Sequence, residues 1–159
     1  MSFDDWVLAL HVLSAFAYVG GLVLFWMLIV AVRKIDTPEE TIRMEPVVKV
    51  GNAAIGVGAI GTIVLGIYLA FALDSYAIWD GWIIAALVLW AVSTEIGRRT
   101  GVAYMRGMTK ARELDSAGQS GSNPELLALN RTSNGVLLHF MTSAGALLLL
   151  LDMIFKPGA

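Results

Sequence analysis

The sequence predicts an all-α integral membrane four-helix bundle, on composition, run length and charge placement. Of 159 residues, 57% are hydrophobic and only 15% charged, with a mean hydropathy of +0.72. A soluble domain is nearer half apolar and a quarter charged. The apolar residues gather in four runs, about 6–32, 50–73, 76–97 and 136–155. A transmembrane helix needs roughly 20 residues to cross a hydrocarbon core about 30 Å thick. Ten of the eleven basic residues lie in just two connections, 33–49 and 98–135. By the positive-inside rule those connections face the cytoplasm, giving an N-out, C-out topology. Helices are expected because lipid cannot satisfy free backbone polar groups and no alternating barrel strands are present.

Little chain is left over for a soluble unit, so residues 1–159 are expected to form a single transmembrane domain. There are no cysteines, which excludes disulfides, thiolate metal sites and cysteine nucleophiles. The basic connections also carry Asp36, Glu39, Glu40, Glu45, Glu113 and Asp115, so no nucleic-acid partner is expected. The lipid bilayer is the expected partner, with a homo-oligomer or a larger membrane complex also open.

Each element has its own signal. The first run is long for a signal-peptide core and follows Asp4 and Asp5 rather than basic residues, so it is expected to persist as a helix. Thr37-Pro38-Glu39-Glu40 reads as an N-cap, a proline in the first turn and acids that favour the helix dipole. In the second span Ala54, Gly58, Thr62, Gly66 and Ala70 recur at four-residue intervals. Such a ridge without bulk lets helices approach closely in a membrane, and a flat macrocycle fits the same groove. The third span is short unless it reaches back to Tyr76 across Asp80. Beyond it the chain is expected to continue as helix to about Asp115. Residues 117–124, rich in Gly, Ser and Asn, then read as a linker, with Ser122 or Asn123 capping a helix that starts near Pro124. Trp6, Tyr76, Trp79 and Trp82 gather at the outer boundary, as an aromatic belt does.

Both histidines, His11 and His139, fall inside spans. Ionisable groups at membrane depth are costly and mark functional sites by default, and histidine is a common haem ligand. Each also has a plain alternative, a hydrogen bond to a neighbouring helix. The two differ in depth by on the order of 18 Å along the membrane normal, too far for two ligands of one iron. Around His11 the expected neighbours are Trp6, Ser14, Asp80 and Asp152, with Met153 as a soft donor. His11, Asp152 and Met153 thus form a candidate copper site, although Asp152 also reads as an interfacial carboxylate. Around His139 they are Asn52, Glu95, Met27 and Met141, and Glu95 is expected to pair with Arg98 and Arg99 one turn on. No nucleophile–base pair, phosphate loop or metalloprotease motif is present, which argues against a hydrolase or kinase.

Leu10-His11, Tyr18 and Gly20-Gly21-Leu22, with the closing Asp152-Met153-Ile154-Phe155-Lys156-Pro157-Gly158, resemble a family of small bacterial integral membrane proteins of unknown function. That family is related to the copper-resistance protein D membrane domain, and HemJ-type haem-binding protoporphyrinogen oxidases share a similar opening. The resemblance implies a bacterial cytoplasmic (inner) membrane location and haem binding through His11. The chain has Tyr18 where the HemJ-type pattern typically has Trp, and it lacks the Leu-Pro-Arg that typically follows. The oxidase activity itself is therefore not what the resemblance implies best. The expected function is a b-type haem protein of membrane redox chemistry, with His11 the favoured ligand and His139 a second candidate. The alternatives are a non-enzymatic accessory subunit docking through the small-residue ridge, and a copper-handling membrane protein.

Overall fold

The structure, a computed structural model, describes residues 2–73 and 76–157. Within them the chain forms six helices: α1 (Phe3–Val32), α2 (Pro38–Arg43), α3 (Glu45–Ala72), α4 (Gly81–Ser116), α5 (Pro124–Asn130) and α6 (Ser133–Phe155). Helices α1, α3, α4 and α6 contain the apolar runs and are long and apolar enough to cross a membrane. Their outward faces carry large apolar side chains, among them Phe16, Val57, Phe71, Phe140 and Ile154. A soluble monomer does not leave so wide an apolar surface open to water. The chain is therefore a multi-pass membrane protein by architecture as well as composition.

The bundle is built from two tight pairs. Helix α1 packs chiefly on α3 and α4 chiefly on α6, while contacts between the pairs are few. The first pair is a seam of missing side chains. A Cβ at Gly58 would stand 2.7 Å from the Ser14 carbonyl oxygen and 2.7 Å from the Tyr18 Cα. One at Gly51 would strike the Phe25 ring, and one at Gly21 would meet Ile55 and the Gly51 carbonyl. Thr62 folds its hydroxyl back onto the Gly58 carbonyl at 2.7 Å, so it presents a methyl rather than a free donor to the seam. The second pair repeats the device, with Gly145 against Ser93 and Gly97 against Thr142.

Polar contacts join the pairs. The Trp90 indole N–H donates to the Ala59 carbonyl at 3.0 Å, and the Trp26 indole N–H donates to Ser143 Oγ at 3.0 Å. Midway along the bundle Tyr18, Leu22, Ala59 and Ala146 form a small core cluster.

The helix ends explain the remaining boundaries. Ser2 and Asp5 form a capping box on α1, which satisfies two of the free first-turn donors. Asn123 caps α5 through the Leu126 N–H, as the sequence suggests. Thr37 precedes α2 but makes no side-chain cap bond. Helix α4 starts at Gly81 and does not reach back across Asp80 to Tyr76. Asp80 turns its Oδ2 back to the Ala77 N–H at 3.0 Å, folding the residues before it into a turn. Helix α4 then extends about 54 Å at the α-helical rise, well beyond a hydrocarbon core.

The overhang of α4 carries the basic end of the molecule. There α2 and α5 pack on it around Ala111, Leu114 and the fully buried Leu126, with Ile42 alongside. Asn130 donates to the Ile35 carbonyl at 3.1 Å and to Thr41 Oγ1 at 3.2 Å. Arg131 reaches the Arg33 carbonyl at 2.9 Å. Glu45 lies ahead of the apolar run and accepts from Lys49 and Arg112, each at 2.8 Å. These two cations, Lys49 foremost, hold its carboxyl below the usual carboxylate range. Glu95 pairs with Arg98 and Arg99 at 2.8 Å as expected.

The α1–α3 seam makes a sharp prediction. Gly58→Leu should destabilise the bundle by about 3 kcal/mol through overpacking against backbone. Gly56→Leu, where a Cβ meets nothing within 4 Å, should be near neutral. Thermal denaturation of both variants in detergent checks this, and equal losses would contradict the close approach.

Candidate functional site

Because the two pairs touch at few places, they part at the end that carries the termini and leave a cleft of about 540 Å³ between them. All four spanning helices line it. Apolar side chains dominate, including Phe16, Ile63, Leu69, Trp82, Trp90 and Leu149. Ligand pockets commonly run from about 300 to 1,000 Å³ and are mostly apolar with a few placed polar groups. Here the placed polar groups are His11, Thr62, Tyr76 and Lys156, with the sulfur of Met153.

His11 reaches this position because Gly66 has no side chain. A Cβ on Gly66 would stand 3.0 Å from His11 Cε1 and 3.4 Å from Nδ1, so the imidazole lies over the glycine. Its Nδ1 is buried and makes no hydrogen bond of ordinary geometry among the described residues, although the Thr62 backbone faces the ring. An unpaired polar atom in an apolar setting is costly, and such an atom in a membrane segment marks a site. The ridge thus divides along its length. Gly58 packs against the α1 backbone and Thr62 lies between the seam and the cleft, while Gly66 and Ala70 line the cleft. Ala54 is half-buried.

His139 has a different environment. It is 2% exposed, its Nε2 lies 3.1 Å from the Leu22 carbonyl oxygen, and its ring packs edge-on against Trp26 with centroids 4.8 Å apart. Its own carbonyl accepts from Ser143 Oγ, the atom that Trp26 meets. As the Nδ1-protonated tautomer offers no proton to a carbonyl, the Nε2–H form is the one this contact selects. His139 therefore ties α6 to α1. It sits level with Leu22, about 16 Å along α1 from His11 at the α-helical rise.

The other candidates separate likewise. Met153 lines the cleft with His11, whereas Asp152 is not among its lining residues; Asp152 Oδ2 is buried without a partner among the described residues. Among the described residues no group of three His, Asp or Glu side chains is placed to hold a metal ion. Around His139, Met27 and Met141 are 65% and 46% exposed, Asn52 is exposed, and Glu95 is held by its arginines.

Two cleft residues were not singled out by sequence reasoning for this role. Trp82 was expected in an interfacial belt but is buried, packed edge-on against Tyr76 at 5.2 Å. Lys156 looked like a tail residue, yet its ammonium donates to the Tyr76 hydroxyl. The available signal was phase, since Trp82, Ala86 and Ser93 follow a helical stripe, all three buried. Trp6 and Trp79 are exposed as a belt requires. Comparisons with protein families, curated proteins and solved structures found no match to this chain.

Proposed function

We propose that the protein binds a b-type haem in the cleft, with His11 as an axial ligand, and serves membrane redox chemistry. The observation that carries this reading is the His11 ring on the wall of a large apolar cleft, with a buried Nδ1 that makes no hydrogen bond of ordinary geometry among the described residues. The donor set suits the group: an imidazole on α1, a thioether on α6 in Met153, and aromatic walls from α4. His/Met ligation is an established haem arrangement. Haem would supply one-electron transfer. The chain's own residues would seat it, exclude water from it and fix its orientation. The resemblance of the first helix and the carboxyl end to HemJ-type and copper-resistance D-related proteins agrees with this reading. It also supports a bacterial cytoplasmic membrane location.

The two alternatives have less support. An accessory subunit docking through the small-residue ridge would need a different face, because α1 and the cleft occupy that ridge. Copper handling would rest on His11 and Met153 without Asp152 in the cleft.

Absorbance spectra of detergent-purified protein expressed with ample haem test the proposal. A Soret band and reduced α/β bands are expected for the wild type and for His139→Phe, and their loss is expected for His11→Ala. Colourless wild-type protein would overturn the haem reading, and a band that survives His11→Ala would overturn the ligand assignment.

The charge distribution supports an orientation with the basic end in the cytoplasm and the cleft end outside. A reporter active only outside the cytoplasm should work when fused after Ala159 and fail when inserted between Ser116 and Asn123. The reverse pattern would invert the topology.

A further inference from the structure

The termini-side mouth of the cleft gathers hydrogen-bond donors that nothing in the apolar body of the cleft requires. Lys156 ends α6 as its C-cap with φ 42°, in the left-handed region that glycine normally occupies at this position. A lysine at φ > 0 is uncommon and is held there by its surroundings. Here the Lys156 N–H closes onto the Asp152 carbonyl at 2.8 Å. The side chain then turns back along the cleft. Its Nζ donates to the Tyr76 hydroxyl and stands 4.4 Å from the Tyr76 ring centroid and 5.5 Å from that of Trp82.

A lysine at a membrane boundary normally extends its ammonium away to the headgroup region. This one is folded over aromatic rings that line the cleft. Trp82 itself is 7% exposed, lines the cleft, and has a buried indole N–H with no acceptor among the described residues. A buried indole N–H usually finds a partner, so the missing acceptor points to a bound group. A cation, a hydroxyl and a free N–H at one end of an apolar cleft together form a receptor for an anion. Of the described acids, Asp80 Oδ2 accepts from the Ala77 N–H and Asp152 is not part of the cleft lining.

Resting on the cleft reading above, we infer that Lys156, Tyr76 and Trp82 clamp the carboxylate of an amphiphilic ligand whose apolar body fills the cleft. The clamp sets the ligand's direction, with the acid at the termini end and the apolar body running towards His11 and Trp90. Haem propionates have this chemistry, and so does the head of a fatty acid. The shared feature is a carboxylate on a body that partitions into lipid.

Binding to full-length protein in neutral-lipid nanodiscs tests the clamp with matched acid and ester probes. Haem is compared with its dimethyl ester by absorbance titration, and palmitate with methyl palmitate by tryptophan fluorescence. The wild type should prefer the acid about tenfold, the size of a charge-assisted hydrogen bond lost to the ester. Lys156→Met and Trp82→Phe should each erase most of that preference, and Lys156→Arg should keep it. Equal binding of acid and ester by the wild type would overturn the clamp, as would a preference that survives Lys156→Met. Failure of both acids to bind would overturn it as well. Should haem not bind while palmitate binds in a Lys156-dependent way, the clamp stands and the haem reading falls.

Discussion

The hydrogen bonds between the two helix pairs set how those pairs sit against each other, and the shape of the bundle depends on where they lie. Inside a bilayer an apolar helix face gains little by leaving acyl chains for another helix, so association rests on close packing and on interhelical hydrogen bonds. Within each pair, close packing suffices, because glycines and small residues bring backbones together at Gly21, Gly51, Gly58 and Gly145. Between the pairs there is no comparable seam. There the connection is made by His139 on the Leu22 carbonyl, Trp26 on Ser143 and Trp90 on the Ala59 carbonyl. An isolated interhelical bond of this kind contributes on the order of 0.6 kcal/mol in a membrane. Several along the middle of the bundle fix a register without closing the whole interface.

The shape of the cleft follows. Below the level of His139 the pairs are also held by the basic-end layer, where α2 and α5 cover the α4 overhang and bury Leu126 and Pro38 completely. Above it the Trp90–Ala59 bond and the cluster around Tyr18 and Ala146 still join them, and beyond these the pairs separate around His11. One histidine is thus consumed as a fastener, while the other is left with an unpaired ring atom in the space that the fastener leaves open. The basic residues divide in the same way. Arg112 and Lys110 tie α4 to Glu45 and Glu125, so part of the charge that orients the chain also knits its basic end.

Much of the architecture was legible from residues alone. The four runs, the α4 extension, the Asn123 cap and the Glu95 ion pairs follow from hydropathy, helical periodicity and turn chemistry. The third span's start was open between Gly81 and Tyr76, because a hydropathy run tolerates Asp80, whereas the backbone uses that carboxylate to form a turn. The ridge on α3 was visible, but not that it would serve two purposes. That depends on His11 reaching Gly66 across an interface whose register is set by glycines on the opposite helix. The role of His139 was partly legible too. It shares a stripe with the buried Gly135, Thr142, Ala146 and Leu149, a spacing of three and four that marks a packed face. Lys156 was not legible, because its direction depends on a left-handed backbone and on aromatic partners brought from the start of α4.

One half of this bundle is locked and the other half opens into a ligand-sized cleft. The absence of native cysteines allows it to be tested by thiol labelling of two single-cysteine variants in nanodiscs with a small membrane-permeant maleimide. Ala70→Cys lines the cleft, and Ala111→Cys occupies a position with no exposed surface in the basic-end cluster. Rapid modification at position 70 with slow modification at position 111 is the expected result. Equal rates, or an inert position 70, would contradict the account.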